Sequence, residues 1–505
     1  MLVDLLRGLP SPDWSLTYPQ LIVFGLALLL MGLDAFLPRR HHFSLLTGVS
    51  LVGYGLATAA LWTQDGRNEA TFWWSFRADG LSVFLSLVIL ISAVLSVLTA
   101  ASYVDQLEGH LPIGEFYVLL AFAILGAMLV GTAGDLVMIF VGIELSSLAT
   151  YILTAFAKRR QTALEGGMKY FLLGIFASAI LVYGMAWVYG LAGTTNLDGI
   201  AFAMQNSVTG ETFLDPALVL ALLLVIVGLS FKMAAVPFHF WTPDAYDGAA
   251  TPVTAFMSVV PKVAAFAATI RILVQALGPL RDDWVNIIAI LALVTMTFGN
   301  IVAISQRNVK RMLAYSSIAH AGFILTAMVG ASQAASGSPA EALTSVSSVM
   351  FYLVAYGAAT IGAFALITMV RDTGGEATLL TSWVGLGKRS PAVALIFAVF
   401  MLSFAGIPLT SGFIGKWAVF ASAWTGGAHL LVVIAVVISV VAAFFYVRVI
   451  VLMFFSEPGV GTPTVTRPGW TTLAAVGVGV VATVALGVFP GPMLDLAQHA
   501  GEFLR

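Results

Sequence analysis

The chain has 505 residues, 60% hydrophobic and only 10% charged, with a mean hydropathy of +0.98. Soluble domains carry roughly 25% charged residues, so this composition cannot solvate an ordinary surface and belongs in a bilayer. Twenty-three Lys and Arg against 25 Asp and Glu leave a net charge of -2, which excludes a strongly basic nucleic-acid binder, and the lack of cysteine excludes disulfides and thiolate-held metal or iron–sulfur centres on this chain.

The opening stretch, MLVDLLRGLPSPDW, has acid on both sides of one arginine and no small-residue cleavage pattern, so the first apolar run reads as a retained membrane helix. A spanning helix needs about 20 mostly apolar residues. Such runs fall near 19–37, 43–62, 80–101, 115–132, 135–156, 168–191, 216–246, 251–277, 284–304, 311–331, 344–370, 391–424, 428–455 and 470–490. They predict an all-α polytopic membrane protein of about 14 transmembrane helices joined by short loops. The interval 193–215 mixes apolar and polar residues and suits a surface loop with a short interfacial helix.

Basic residues near span ends stay on the cytoplasmic side. With the N-terminus outside, Arg39, Arg40, Lys158, Arg159, Arg160, Arg307, Lys310, Arg311, Arg371, Lys388, Arg389 and Arg467 face the cytoplasm, twelve against the five of the other side, Arg7, Arg67, Arg77, Arg281 and Arg505. That asymmetry predicts both termini outside.

Two spans are too long and are interrupted by proline, the seventh at Pro237 and the twelfth at Pro408. They lie five spans apart, so spans 4–8 and 9–13 form two five-helix repeats with the broken helix fourth in each. An odd number of spans per repeat inverts the second relative to the first. The division is 1–114, an N-terminal three-helix segment; 115–277, the first repeat; 278–455, the second; and 456–505, a C-terminal helix and tail.

A charge at the bilayer centre costs on the order of 3 kcal/mol, so each intramembrane charge calls for a partner or a wet cavity. Glu144 lies nine residues beyond Asp135, roughly 13 Å deeper along a helix. Lys232 stands five residues before Pro237, where freed backbone carbonyls can hold water beside it. Lys262 follows Pro261 in the eighth span, and Lys416 lies eight residues beyond Pro408 in the twelfth. Lys169 comes four residues after Glu165, a spacing that permits a surface ion pair. A lysine that merely reaches for the interface is the plain alternative, most serious for Lys416. His239, two residues past the first break, and His320, inside the tenth span, are candidate proton relays or helix-to-helix hydrogen-bonding residues. Arg448, flanked by aromatics, reads as an interfacial anchor.

The stretches FKMAAVPFHFWTPDAYDGAATPVTAFMSVVPKVAAFA, VGIELSSLATYILTAF, EGGMKYFLLGIFASAILVYG, NVKRMLAYSSIAHAGF and GIPLTSGFIGKW resemble the antiporter-like subunits of respiratory complex I, over about residues 80–455. Lysine in the broken twelfth span is unlike the M-type branch, which has glutamate there. No long lateral helix follows residue 490, unlike the L-type, so the N-type branch is most similar. The resemblance implies a proton channel of two inverted half-channels joined by a polar axis. Glu144 would be its fifth-span acid, Lys232 the lysine of the first broken helix, Lys262 the connecting lysine and Lys416 the terminal residue, with Lys169 the lysine of MKYFLLG. It further implies a subunit of a translocase, an NADH:quinone oxidoreductase of the bacterial cytoplasmic (inner) membrane. FMN, iron–sulfur clusters and quinone would then belong to partner subunits and no cofactor to this chain. Its neighbours would be M-like and K-like subunits and the lateral helix of the L-like subunit. A multisubunit Na+/H+ antiporter or a membrane-bound hydrogenase is the alternative assembly, and a solute carrier built from inverted repeats a third reading.

Overall fold

The structure, a computed structural model, describes residues 11–36, 42–105, 113–207, 216–330, 344–372, 375–457, 464–466 and 469–502. Five arginines used for the orientation, Arg7, Arg39, Arg40, Arg467 and Arg505, lie outside them. Thirteen helices among the described residues are long and apolar enough to cross a membrane. In hydrocarbon a spanning segment must satisfy its own backbone, which the helix does within one segment.

The first three spans are α1 (Tyr18–Phe36), α2 (His42–Leu61) and α3 (Gly80–Asp105). Spans 4–6 are α4 (Ile113–Gly131), α5 (Leu136–Thr154) and α6 (Gln161–Ala192), and α7 (Leu197–Ser207) is the short helix expected between 193 and 215. The seventh span is broken into α8 (Pro216–Met233) and α9 (Trp241–Gly248). The eighth is α10 (Thr251–Met257) and α11 (Val260–Thr269), continued by a wide-turn π segment at Ile270–Ala276. Next come α12 (Arg281–Ser305), α13 (Val309–Val329) and α14 (Ser345–Ile367). The fourteenth expected crossing is the broken twelfth span, α15 (Pro391–Ala405) followed by α16 (Ser411–Thr425), each too short to cross alone. The chain continues as α17 (His429–Phe455), α18 (Trp470–Val488) and α19 (Gly491–Glu502), a last helix where the sequence suggested only a tail. Two small antiparallel sheets trim the loops: a hairpin of β1 (Glu69–Thr71) with β2 (Phe76–Ala78), and β3 (Val370–Asp372) flanked by β4 (Gly375–Glu376) and β5 (Thr464–Val465).

The helices of the two expected five-helix repeats share a neighbour pattern. In each, the first helix packs on the second, the third on the broken fourth and the first again on the fifth: α4 on α5, α6 on α8 and α4 on α11 in one, α12 on α13, α14 on α16 and α12 on α17 in the other. Glycine permits a close crossing of the first two helices in both. A Cβ on Gly142 would sit 2.9 Å from the Gly126 carbonyl oxygen, and one on Gly299 2.7 Å from the Ala319 amide.

Both breaks contain a non-glycine residue with left-handed backbone, Ala234 at φ +60° and Leu409 at φ +70°. Such a conformation costs roughly 1–2 kcal/mol, so surrounding contacts must hold it. At the first break the Val236 N–H donates to Thr295 Oγ1 of α12 (3.0 Å) and the Trp241 indole to the Phe231 carbonyl (3.2 Å). At the second, Gly412 N–H donates to Ser403 Oγ (3.1 Å). The eighth span is also interrupted, at Ser258 and Val259, with Pro261 in the first turn of the helix that resumes.

The N-terminal helices are tied to the first unit by a fully buried pair. Arg271 of the π segment donates from both terminal nitrogens to Asp79, at 2.6 and 2.8 Å, and from one of them to the Gly131 carbonyl (3.0 Å). A bidentate arginine–carboxylate fork is the strongest geometry available to such a pair.

Candidate proton-transfer chain

Glu144 of α5 and Lys232, one residue from the end of α8, meet inside the first unit. Lys232 Nζ lies 3.2 Å from Glu144 Oε1, and their side chains are 8% and 19% exposed. Two hydroxyls complete the site: Lys232 Nζ donates to Ser147 Oγ (3.1 Å) and Ser178 Oγ (2.9 Å), and Ser178 in turn donates to Glu144 Oε1 (2.5 Å). The lysine is thus matched by one carboxylate and two hydroxyls, all of its three protons having acceptors.

Lys262, in the first turn of α11, is held differently. Its ammonium donates to the Ser317 carbonyl and hydroxyl, both at 2.6 Å, and lies 4.9 Å above the Tyr356 ring. Ser317 also meets the Tyr246 hydroxyl (3.2 Å). No carboxylate among the described residues pairs with it.

His320 sits three residues further along α13. Its Nδ1 is 2.6 Å from the Tyr352 hydroxyl and its Nε2 3.4 Å from the Tyr446 hydroxyl, which meets Ser316 Oγ at 2.5 Å. His320, Tyr352, Tyr356 and Ser403 line a small cavity of about 10 Å³, room for about one water. The histidine therefore occupies the polar ground between Lys262 and the second break.

Lys416 ends this series. Its ammonium donates to the carbonyls of Phe404 and Ala405 at the open end of α15 and to Ser439 Oγ of α17, each at 2.9 Å, with the Phe323 ring 5.0 Å away. It does not reach for the interface. The carbonyls at a helix C-terminus lack intrahelical partners and carry the negative end of the helix dipole, a natural cradle for a cation.

Lys169 does more than the spacing suggested. Besides Glu165 (2.6 Å) it pairs with Asp244 of α9 (2.7 Å), whose other oxygen accepts from Arg311 of α13 at 2.5 Å. This cluster is half-exposed and ties α6, α9 and α13 together. His239 is buried between the rings of Phe240 and Phe298, and its Nδ1 has no hydrogen-bond partner among the described residues. It is not joined to Lys232 or Lys262. Arg448 caps a helix, donating to the carbonyls of Ile304 and Gln306 at the end of α12 (2.6 and 2.7 Å).

Sequence reasoning passed over the uncharged members, Ser147, Ser178, Ser317, Tyr352 and Tyr446, because hydroxyl residues in spans carry no signal of their own. It also counted Lys310 among loop residues, whereas α13 begins at Val309 and leaves that side chain fully buried. The missed signal is Asn308, whose side chain caps the helix by accepting from the amides of Lys310 and Arg311.

Buried lysines beside broken helices, each set among hydroxyls or carbonyls with a buried histidine near the second break, fit an antiporter-type membrane subunit. A family model described as NADH:quinone oxidoreductase/Mrp antiporter, TM matches residues 133–442, and the chain belongs to that family. Its curated relatives narrow the branch. An NADH-quinone oxidoreductase subunit N from Rhodococcus opacus (strain B4) is 43% identical over 98% of this chain and 97% of its own length, and one from Salinispora arenicola (strain CNS-205) is 43% identical over 98% and 99%. The resemblance drawn from the motifs to the N-type branch therefore stands. Among solved structures, a chain of respiratory complex I from Thermus thermophilus with bound aureothin matches with a TM-score of 0.78 at 34% identity, over 95% of this chain and 99% of that one. A chain of the Mrp complex from Dietzia sp. DQ12-45-1b shares the fold, with a TM-score of 0.79 at 22% identity.

Proposed function

We infer that this chain is a proton-translocating membrane subunit of an NADH:quinone oxidoreductase, respiratory complex I. The observation that carries the reading is the Glu144–Lys232 pair with its two serines, a buried acid and base in contact at a broken helix. Protons move in the first unit by exchange at Lys232, cross along Lys262, Ser317 and His320, and reach Lys416 at the second break. Tyr352 and Tyr446 orient the histidine. Glu144 changes the cost of a charge on Lys232 as their separation changes, which is how an opposite charge governs protonation. His239 supports the first break and lies beside the path.

The chain is read as two inverted repeats in a bacterial cytoplasmic membrane with both termini outside, beside M-like and K-like neighbours and the L-like lateral helix. FMN, iron–sulfur clusters and quinone belong to partner subunits, which perform the redox chemistry. The near full-length N-subunit relatives favour this assembly over a Na+/H+ antiporter or a hydrogenase. The test is purification of the assembled complex from membranes: co-purification with flavin and iron–sulfur subunits is expected, and a single-chain preparation with intact transport would overturn the reading.

A further inference from the structure

Besides Lys232 with Glu144, one more lysine–glutamate pair is buried among the described residues. Lys310 in the first turn of α13 is fully buried and Glu376 of β4 is 4% exposed, with Nζ 3.6 Å from Oε2. Lys310 Nζ also donates to the Ala249 carbonyl ahead of α10 (2.6 Å). Arg160, half-exposed at the start of α6, reaches the same Glu376 oxygen at 3.7 Å. The groups around the pair are Arg160, Tyr103 with Arg371 stacked on its ring at 5.6 Å, Asp247 and the Thr251 hydroxyl. Burial works against a charge on Glu376, but Lys310 and Arg160 outweigh it and hold the carboxyl below its usual range, so it stays an anion.

The pair points inward. Lys310 and Ser317 lie seven residues apart on one face of α13, about 10 Å along the axis, and Ser317 is the residue that holds Lys262. Hydroxyls accompany that interval. Thr251 faces Glu376, Thr254 one turn on donates to the Tyr246 carbonyl (2.9 Å), and the Tyr246 hydroxyl meets Ser317. Alanine stands at 314, one turn inside Lys310, and is fully buried. A structural latch requires a charge at 310 but not the Tyr246 and Ser317 hydroxyls that stand beside the connecting lysine.

We propose that Lys310, with Glu376 as its counter-ion, is a further proton-transfer residue, the station through which protons enter from the cytoplasmic end toward Lys262; this rests on the proton-translocating reading given above. Each turnover of the station moves one proton and no electrons. The Lys310 ammonium gives up a proton that ends on the Lys262 amine, and the Lys310 amine is reloaded from bulk water on the Arg160 side.

The test uses the whole complex in inside-out vesicles, which expose the cytoplasmic face to the bath, with proton pumping read as a function of bath pH and assembly checked by native gel. Lys310→Arg keeps the charge and the ion pair but cannot release a proton at accessible pH, so the assembled variant should lose at least about tenfold in pumping. Glu376→Gln should lower pumping with a deficit that widens as the bath becomes alkaline, because loading a lysine without its counter-ion becomes the slow step. Wild-type pumping with Lys310→Arg, or a Glu376→Gln deficit of the same factor at every pH, would overturn the proposal and leave a structural latch. Glu144→Gln is the parallel control: normal pumping in that variant as well would count against the translocation reading itself.

Discussion

Lys232 faces a carboxylate at 3.2 Å, whereas Lys416, at the matching break of the second unit, faces the two carbonyls that end α15 at 2.9 Å. Both solve the same problem, a cation deep in a bilayer. A carboxylate supplies a full charge that can itself move, be protonated or change its distance, so on the proposed reading proton exchange at Lys232 is coupled to a partner. Carbonyl dipoles cannot be neutralised. On the proposed reading, exchange at Lys416 would follow the local geometry of the broken helix, where Leu409 has left-handed backbone and the Gly412 N–H bonds to Ser403 Oγ. The pair of sites teaches that one architecture accommodates a buried lysine in two ways, against a carboxylate and against the carbonyls of a helix end.

The largest effect is expected where a full charge is removed. Glu144→Gln keeps the size of the side chain and deletes the charge facing Lys232, and both quinone reduction and proton pumping should fall by about tenfold or more, because the opposite charge that governs protonation of Lys232 is gone. Vesicles carrying the variant in an assembled complex check this, and unchanged values for both activities would refute the pairing. At the second site Lys416→Ala should cut pumping comparably, while Lys416→Arg should rescue only part of it, because a guanidinium keeps its proton. Full activity with arginine would mean that Lys416 merely braces α15.

A smaller change is expected from Ser178→Ala. It removes the hydroxyl that bridges Glu144 and Lys232 but leaves their 3.2 Å contact, a loss of about 1 kcal/mol and so several-fold in pumping rate. Pumping equal to wild type would show that the two charges need no bridge. Smallest is Lys169→Ala, which should cost less than Lys232→Ala because Asp244 keeps Arg311 at 2.5 Å. Equal and severe losses in a side-by-side pumping assay would put Lys169 in the path.

How much of this was legible in the sequence follows from where each charge lies. Long apolar runs located the spans, and the prolines at 237 and 408 located the breaks, since neither signal depends on what packs around it. Glu144, Lys232, Lys262 and Lys416 stood out because a charge inside an apolar run is costly anywhere in the membrane. Charges at span ends gave no such warning. Lys310 and Glu376 read as loop residues, and only the packing of α13, β4 and α10 buries them; Asp79 and Arg271, 192 residues apart with no local pattern, are buried the same way. His239, whose place beside a break suggested a relay or a helix-to-helix hydrogen-bonding residue, lies against the rings of Phe240 and Phe298. The acceptors of Lys262 and Lys416, backbone carbonyls with one serine hydroxyl each, have no charged side chain to read.

The central claim, that Glu144 and Lys232 act as one coupled unit, is tested most directly by a double-mutant cycle on proton pumping with Glu144→Gln, Lys232→Met and the two combined. Groups that work through each other give strongly non-additive losses. The coupled account predicts that the double variant pumps no worse than the poorer single one, and losses that multiply would contradict it.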